Sequence, residues 1–523
     1  MRRDRPRWIR RVRLALRRRL ARFDRTAPAW LAWLPSWGTS VLLHGVALVL
    51  LATFYYASNR PPEGRDFDSA IISLADQDFT SLTPADQSGD PFTKEQSEET
   101  PSISLDPSGQ ATGQPKLVAG LTFSSTLSSP ERFSADRMPG LADVLQAPRV
   151  HAEDMTAPFS GRMGASKVQL IRREGGTTAS ERAVQEGLNY LMRHQRDDGG
   201  WSLDVRAECR MIPGCPEDVH VESDTAATGL ALLPFLGAGH IHTQPSRYQE
   251  QVRRGLDWLL AKQQKSGELF LGGQIHSQFY SHAIASMALC EAYGLSKDPR
   301  LQRPAQLAIQ FIAESQNKYD GGWRYAPGME GDTSVFGWQM FALRSARLAG
   351  LEVPKNVIKG CNHYLNEAST DKTRTTYGYL PGRPLSAVMT AEALLCRQYL
   401  GWPRDHPSLI KGVSGVWNDL QATDERNIYY WYYATQLLHN MQNKAWKQWN
   451  VRVRDALVAM QVESKGCDQG SWSPLFPTQD RWGIRGGRLF QTSLSILTLE
   501  VYYRFLPLYR TNDPAGDEGK PKL

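Results

Sequence analysis

Cysteine is scarce in this sequence, which has six cysteines among 523 residues. They form no CxxC pair, and no HExxH stretch occurs, so the spacing of ligand-type residues predicts neither a metal site nor a cofactor. Cys209 and Cys215 lie in one loop, ECRMIPGCP, and a disulfide between them would suit a compartment outside the cytoplasm. Cys290, Cys361 and Cys396 lie in apolar stretches and are expected to be buried.

Formal charge is absent from residues 38–57 (GTSVLLHGVALVLLATFYYA), a stretch long enough to cross a bilayer as a helix. Tryptophans before it and tyrosines after it are placed as interfacial anchors. A cleaved signal peptide is the alternative, but the apolar stretch is long for one. Residues 1–37 precede the span, and the first 25 hold twelve arginines. We therefore predict a basic cytoplasmic arm, one transmembrane helix and an extracytoplasmic C-terminal domain.

Tryptophan, tyrosine and cysteine are all absent from residues 58–180, where Ser, Asp, Thr, Pro and Gly dominate. Such a segment cannot bury enough apolar surface to offset the entropy of ordering its backbone. We predict a disordered linker, with a short helix near Ala165–Arg173, and a disordered tail at 509–523. Because the excess of basic residues is confined to the N-terminal arm, the composition argues against a nucleic-acid partner.

What the sequence does contain is a unit that recurs six times between Ala183 and Phe505. Each copy has an amphipathic stretch, a Gly-rich turn with an aromatic residue, and a second stretch that is apolar on nearly every side. An amphipathic helix buries one face, whereas an all-apolar helix is covered all round. Their alternation predicts an outer ring of helices around an inner ring. We predict an all-α fold, a closed α6/α6 toroid of six helix pairs, over residues 181–508.

The order Gln, spacer, Gly-Gly and Trp, as in Gln195–Trp201 and Gln316–Trp323, resembles the repeat of the prenyltransferase and squalene oxidase families. Those families include triterpene cyclases and the β subunits of protein prenyltransferases. The resemblance covers about residues 180 to 508 and implies an α/α toroid, here in a protein anchored in a bacterial inner membrane. Triterpene cyclases have two helical domains, whereas this chain has length for one. The Asp, Cys and His set of the prenyltransferase zinc site cannot be placed, because Cys467 and Asp468 lie in a turn.

Acidic residues at the predicted starts of inner helices are the candidates for catalysis. The stretch 221–226, VESDTA, resembles the Asp-rich DxDDTA box with which triterpene cyclases protonate a polyene. Asp224 matches the end of that box, but Ser223 stands at the position of the protonating aspartate. We name Asp224 and Asp332 as candidate catalytic residues. In the competing interpretation, each carboxylate caps its helix.

Other side chains near the starts of inner helices are expected to line a central cavity. These cavity-lining candidates are His220, Glu222, His276, His282, Tyr429, Tyr430 and Trp431. Because the acid motif is incomplete and the zinc set is missing, we expect a membrane-tethered module that binds an apolar lipid, an isoprenoid or a protein partner. The alternative is an enzyme similar to a terpene cyclase or a prenyltransferase, acting on a polyisoprenoid and stabilising carbocations with its aromatic faces.

Overall fold

The computed structural model describes residues 159–206, 209, 221–271 and 273–509. Within these ranges the chain is helical, with isolated β-bridges and no extended strand. This confirms the predicted all-α class, and the arrangement is consistent with an α/α toroid. The α-helices are α1 (Gly164–Glu174), α2 (Thr178–Arg193), α3 (Asp224–Gly237), α4 (Gln249–Lys262), α5 (Gln278–Ser296), α6 (Pro299–Glu314), α7 (Thr333–Ala349), α8 (Lys355–Glu367), α9 (Ala387–Tyr399), α10 (Pro407–Ala422), α11 (Ile428–Met441), α12 (Lys444–Met460), α13 (Gly483–Leu499) and α14 (Val501–Arg504).

Six of these helices form the interior of the domain. Helices α3, α5, α7, α9, α11 and α13 each contact the next in that order, and α13 returns to contact α3. In α3 every residue except the first is buried, as expected for a helix without a polar face. The helices between them are amphipathic: α4, for example, buries only a stripe that includes Val252, Leu256 and Leu259. Their polar faces point to solvent, so the alternation seen in the sequence corresponds to inner and outer helices.

In the first and last repeats, the tryptophan after the Gly-rich turn connects an outer helix to its inner partner. Trp201 Nε1 donates to the carbonyl oxygen of Leu191 in α2 at 2.8 Å, and its backbone N–H donates to Thr228 Oγ1 in α3 at 3.0 Å. In the last repeat, Trp472 makes the same two bonds, to Leu457 and Thr492. Both indoles are fully buried. Trp201 and Trp472 therefore have a structural role, because each forms a hydrogen bond with a backbone carbonyl group at the end of a helix.

The glutamine of the repeat holds one outer helix against the next. Gln195 Nε2 donates to the carbonyl oxygen of Gly199 in its own turn at 2.8 Å and to that of Gln251 in α4 at 2.9 Å. Gln263 and Gln316 make equivalent pairs of bonds. Gln461, in the last repeat, donates to the carbonyl oxygen of Ala183 in α2 at 2.8 Å. We call the contact of residues 461–472 with α2 the seam, since it joins the last repeat to the first.

Residues 159–174 are ordered on this domain, contrary to the predicted linker boundary at residue 180. Ser160–Arg162 form a 3-10 turn and α1 follows, which includes the short helix expected at Ala165–Arg173. Arg162 is fully buried, and its Nη1 lies 2.6 Å from Glu291 Oε2. Arg504 Nη2 contacts the other oxygen of Glu291 at 3.2 Å. Phe159 and Leu170 are buried as well, so a few apolar side chains and a buried ion pair pack a segment whose overall composition predicts disorder.

Several predictions lie outside the described residues. They are the arm at 1–37, the span at 38–57, the linker up to residue 158, the tail beyond Tyr509, and the side chains of His220 and Cys215. None of the helices in the described part of the chain is both long and apolar enough to cross a membrane. The transmembrane helix and the disulfide between Cys209 and Cys215 stay predictions.

Candidate functional site

Asp332 is a fully buried carboxylate at the start of an inner helix. Its Oδ1 accepts the N–H of Val335 at 2.7 Å, so it caps α7, as the capping interpretation predicted. Its Oδ2 is buried without a hydrogen-bond partner of normal geometry among the described residues. The nearest cation along this edge is Arg324, whose Nε lies 3.8 Å from Oδ2. One oxygen therefore caps the helix, while the carboxyl group also interacts with Arg324 and with the hydroxyl of Tyr379.

Burial raises the pKa of Asp332 to about 7, against the opposing effects of the Val335 N–H and of Arg324. Desolvation disfavours the charged form of a carboxyl group, which explains the direction of the shift. Near neutral pH this side chain is present both as an acid and as a base. A carboxyl group in that state can donate a proton, which an ordinary surface aspartate cannot do at this pH.

Tyr280 and Tyr379 interact with the carboxyl group of Asp332, and Tyr325 and His276 extend this cluster from Tyr379. The hydroxyls of Tyr325 and Tyr379 lie 2.7 Å apart, and the ring of His276 packs edge-on against Tyr325 with centroids 4.9 Å apart. Burial, followed by the charge of Asp332, raises the pKa of Tyr280 and of Tyr379 well above the usual value. His276, Tyr280 and Tyr379 are only half-buried. We call these five residues the Asp332 crevice, because its walls remain partly accessible to solvent.

A chain of hydroxyl groups leads from the crevice between the inner helices. Tyr280 donates to Ser334 Oγ at 2.8 Å, and Ser334 Oγ lies 2.7 Å from the hydroxyl of Tyr429. The hydroxyl of Tyr429 also accepts from Trp338 Nε1 at 3.0 Å and from Tyr433 at 3.0 Å. These aromatic rings are therefore fixed in position by hydrogen bonds as well as by packing. Tyr429 is the cavity-lining candidate that this chain of hydroxyl groups joins to the crevice.

Glu392 of α9 is a second buried carboxyl group near this network. It is fully buried, and burial raises its pKa well above the usual value, while Tyr433 and then Asp332 exert smaller effects. A Cβ atom at Gly337 would lie 1.8 Å from Glu392 Oε1, so the glycine provides the space that this side chain occupies. Burial therefore favours the uncharged form of this side chain, which is the form compatible with an apolar neighbour.

Asp224, the other candidate acid, lies in a different environment. Ser223, rather than Asp224, caps α3: its Oγ accepts the N–H of Ala226 at 3.1 Å. The Asp224 carboxylate pairs with Arg196 at 2.6 Å, and 36% of its side chain is exposed. We predicted this cap at Asp224, one residue after Ser223, because a serine and an aspartate can both cap a helix. An exposed, ion-paired carboxylate is poorly suited to general acid catalysis, so we assign none to Asp224.

Several cavity-lining candidates lie away from the crevice. His282 accepts the N–H of Leu269 at its Nδ1 (2.9 Å), the position that Thr228 fills in the first repeat, and burial lowers its pKa to about 4. Tyr430 lies against Val416 of α10, and Trp431 packs edge-on against Trp449 of α12. The side chain of Glu222 is exposed. Each of these four side chains contacts a neighbouring helix or loop or is exposed, and their role in lining a cavity stays a prediction.

Sequence reasoning did not identify five residues near Asp332: Tyr280, Tyr325, Tyr379, Ser334 and Glu392. The available signal was weak: Tyr280 and Ser334 lie near the starts of inner helices, like Asp332, but tyrosine and serine occur throughout the chain. In the described ranges, side chains of metal-ligating type converge at one place, His194, Cys209 and Cys467, which lies outside the crevice.

No protein-family model matches this chain. Among solved structures, the chain is similar to the GH76A α-1,6-mannanase of Salegentibacter sp. (10% identity, TM-score 0.44), with 62% of this chain and 98% of the other covered. It is also similar to the cellobiose 2-epimerase of Spirochaeta thermophila (12% identity, TM-score 0.47; 64% and 97% covered). The type II terpene cyclase MstE of Scytonema matches at 13% identity and a TM-score of 0.41 (62% and 98% covered). These similarities are too weak to assign an activity to this chain.

Proposed function

We propose that this chain is a membrane-tethered enzyme whose helical domain, a closed α6/α6 toroid outside the cytoplasm, protonates an isoprenoid alkene as terpenoid cyclases do. The observation that supports the proposal best is the buried Asp332, with a pKa raised to about 7 and one oxygen without a normal hydrogen-bond partner. The sequence favoured a binding module because Ser223 replaces the expected acid. A candidate acid at the start of α7 removes that objection.

The proposed step transfers one proton. The O–H bond of protonated Asp332 breaks as a C–H bond forms at one carbon of a trisubstituted alkene, and the other alkene carbon becomes a tertiary cation. Attack by a neighbouring double bond forms a ring and moves the cation along the chain. Loss of a proton from carbon ends the reaction, so the product is an isomer of the substrate. No oxidant or reductant is required.

The walls near the acid suit a cationic, apolar intermediate. Trp338 stacks on Tyr432 with ring centroids 5.9 Å apart, and Tyr429 lies 6.5 Å from Trp338. Aromatic faces attract cations most strongly where water is excluded. Burial of Glu392 favours its uncharged form, which would not trap the intermediate. An isoprenoid dissolved in the membrane would be within reach of a tethered domain, which accounts for an anchor on such an enzyme.

A binding module without catalysis is the second candidate. It is favoured by the structural role of Asp332 as a helix cap. It is also favoured because the hydroxyl groups of Tyr280, Ser334 and Tyr429 form hydrogen bonds with one another. In that case the crevice would hold an apolar lipid, and Asp332 would contribute to stability alone. The two functions differ in whether the ligand acquires a proton from the protein.

The test is an assay in heavy water. The purified chain is incubated with squalene and with a geranylgeranyl-bearing lipid, and extracts are analysed by gas chromatography and mass spectrometry. We expect cyclised isomers with one new C–D bond, lost in Asp332→Asn and retained in the matched control Asp224→Asn. Ligand recovered unchanged, but co-purifying with the chain, would support the binding module. Equal product from Asp332→Asn and the wild type would refute Asp332 as the acid.

A further inference from the structure

A histidine and two cysteines from distant parts of the chain meet near the seam. His194 follows the end of α2, Cys209 lies in the loop after the first Gly-rich turn, and Cys467 lies in the turn before Trp472. One ligand atom from each lies within 4.8 Å of the other two. His194 and Cys467 are buried, and Cys209 is half-buried. From this convergence we propose that these three side chains bind a zinc ion that joins the last repeat to the first.

The donor set matches the preferences of zinc. Thiolate sulfur and imidazole nitrogen are its usual protein ligands, and a site with three protein ligands completes its tetrahedron with water. Spacing in the sequence gave no indication of this set, because His194 and Cys467 are separated by almost the whole repeat domain. The ligands are brought together only by the return of the last repeat to α2.

His194 is held in the form that binds a metal. Its Nδ1 lies 2.9 Å from the carbonyl oxygen of Tyr190, and a carbonyl can only accept, so Nδ1 carries the proton. The lone pair of Nε2 is then the one that faces a ligand. A hydrogen bond from the second ring nitrogen to a carbonyl is common for zinc-binding histidines.

Two arginines, Arg193 and Arg488, lie near Cys467. Arg488 is almost fully buried, and its Nη1 lies 3.6 Å from Asp468 Oδ2, the residue after Cys467. Arg193 Nη2 donates to the carbonyl oxygens of Cys467 and Gln469. The bonds of Arg193 cross the seam, so a metal here would reinforce an existing contact.

A zinc ion at this position would act as a cross-link. Binding only to the folded state, it would stabilise the domain by mass action and make its melting temperature depend on metal. It would also compete with the predicted disulfide, since Cys209 cannot bind zinc and pair with Cys215 at the same time. Bound zinc predicts metal-containing protein in which Cys209 forms no disulfide. The disulfide predicts metal-free protein in which Cys209 has no free thiol.

The test uses the full chain purified without a polyhistidine tag. We expect about one zinc per chain by plasma mass spectrometry, since the three ligands form one site, and a thiolate-to-metal charge-transfer band after exchange with Co²⁺. His194→Gln, Cys209→Ser and Cys467→Ser should lose both signals, whereas the matched control Cys361→Ala, at a buried thiol elsewhere, should keep them. Chelation should lower the melting temperature of the wild type and of the control, but not that of Cys209→Ser.

The proposal does not depend on the variants folding, because the metal content of the wild type decides it. Wild-type protein without stoichiometric zinc, even after incubation with Zn²⁺ under reducing conditions, would overturn it. Peptide mapping that finds Cys209 in a disulfide, with Cys215 or with Cys467, in metal-free wild-type protein would overturn it as well.

Discussion

Replacing Asp332 by asparagine should change how the stability of the protein depends on pH. Asn caps a helix about as well as Asp, so the bond from the Val335 N–H should survive. The pKa of Asp332 is raised to about 7 in the folded protein, against about 3.9 in an unfolded chain. The folded state therefore binds this proton more tightly. The resulting stabilisation is fully present below the unfolded pKa and is lost as pH rises through about 7.

The size of the effect follows from the two pKa values. Between about pH 5.5 and about pH 8.5, the wild type should lose about 2 kcal/mol of unfolding free energy through Asp332, a loss that the variant does not share. Urea titrations followed by tryptophan fluorescence at several pH values measure the difference between variant and wild type, in which other titrating groups cancel. As pH rises over this range, the unfolding free energy of Asp332→Asn should increase by about 2 kcal/mol relative to that of the wild type. A difference that stays constant with pH would refute the raised pKa.

Three further predictions concern the fold and the candidate residues. Arg162→Met should lower the unfolding free energy by about 3–5 kcal/mol, because it leaves Glu291 buried with one cation fewer; urea titration measures this. Gln461→Ala should cost about 1–3 kcal/mol through two lost hydrogen bonds, and should speed amide hydrogen exchange in α2, measured by mass spectrometry. Ser223→Ala should cost about 1 kcal/mol as a lost cap, whereas Asp224→Ala, which removes a half-exposed ion pair, should cost less in the same titration.

Matched variants separate these effects from general damage. Gln263→Ala removes the same pair of bonds between α4 and α6, away from the seam, so it should destabilise without raising exchange in α2. Arg173→Met changes a half-exposed arginine on α1 and should cost far less than Arg162→Met. Equal effects of Arg162→Met and Arg173→Met would contradict the importance of the buried pair with Glu291.

Hydrophobic periodicity was sufficient to predict the helical repeats and their division into inner and outer helices. It succeeded because burial on one face or on all faces leaves different residue patterns, as α4 and α3 show. It also placed Asp332 at the start of an inner helix. Composition failed at residues 159–174, where the buried side chains of Phe159, Arg162 and Leu170 pack a mostly polar segment on the helical domain.

The candidate site was only partly predictable. In the run Tyr429 to Tyr433, residues four apart share a helix face, so Tyr429 and Tyr433 point inward together while Tyr430 and Trp431 contact outer helices. Which face points inward depends on neighbouring helices and not on the run itself. Asp224 and Asp332 looked alike in the sequence, and only burial separates the ion-paired surface carboxylate from the raised pKa of the buried one.

The most direct test of the proposed acid is a titration of Asp332 itself. Aspartate labelled with carbon-13 at its carboxyl carbon is incorporated into the wild type and into Asp332→Asn, and carbon NMR spectra are recorded from acidic to alkaline pH. The resonance present in the wild type and missing from the variant belongs to Asp332. It should titrate near pH 7, in keeping with its burial. A midpoint close to the ordinary value of about 4 would contradict the proposal that Asp332 holds a proton for delivery to an alkene.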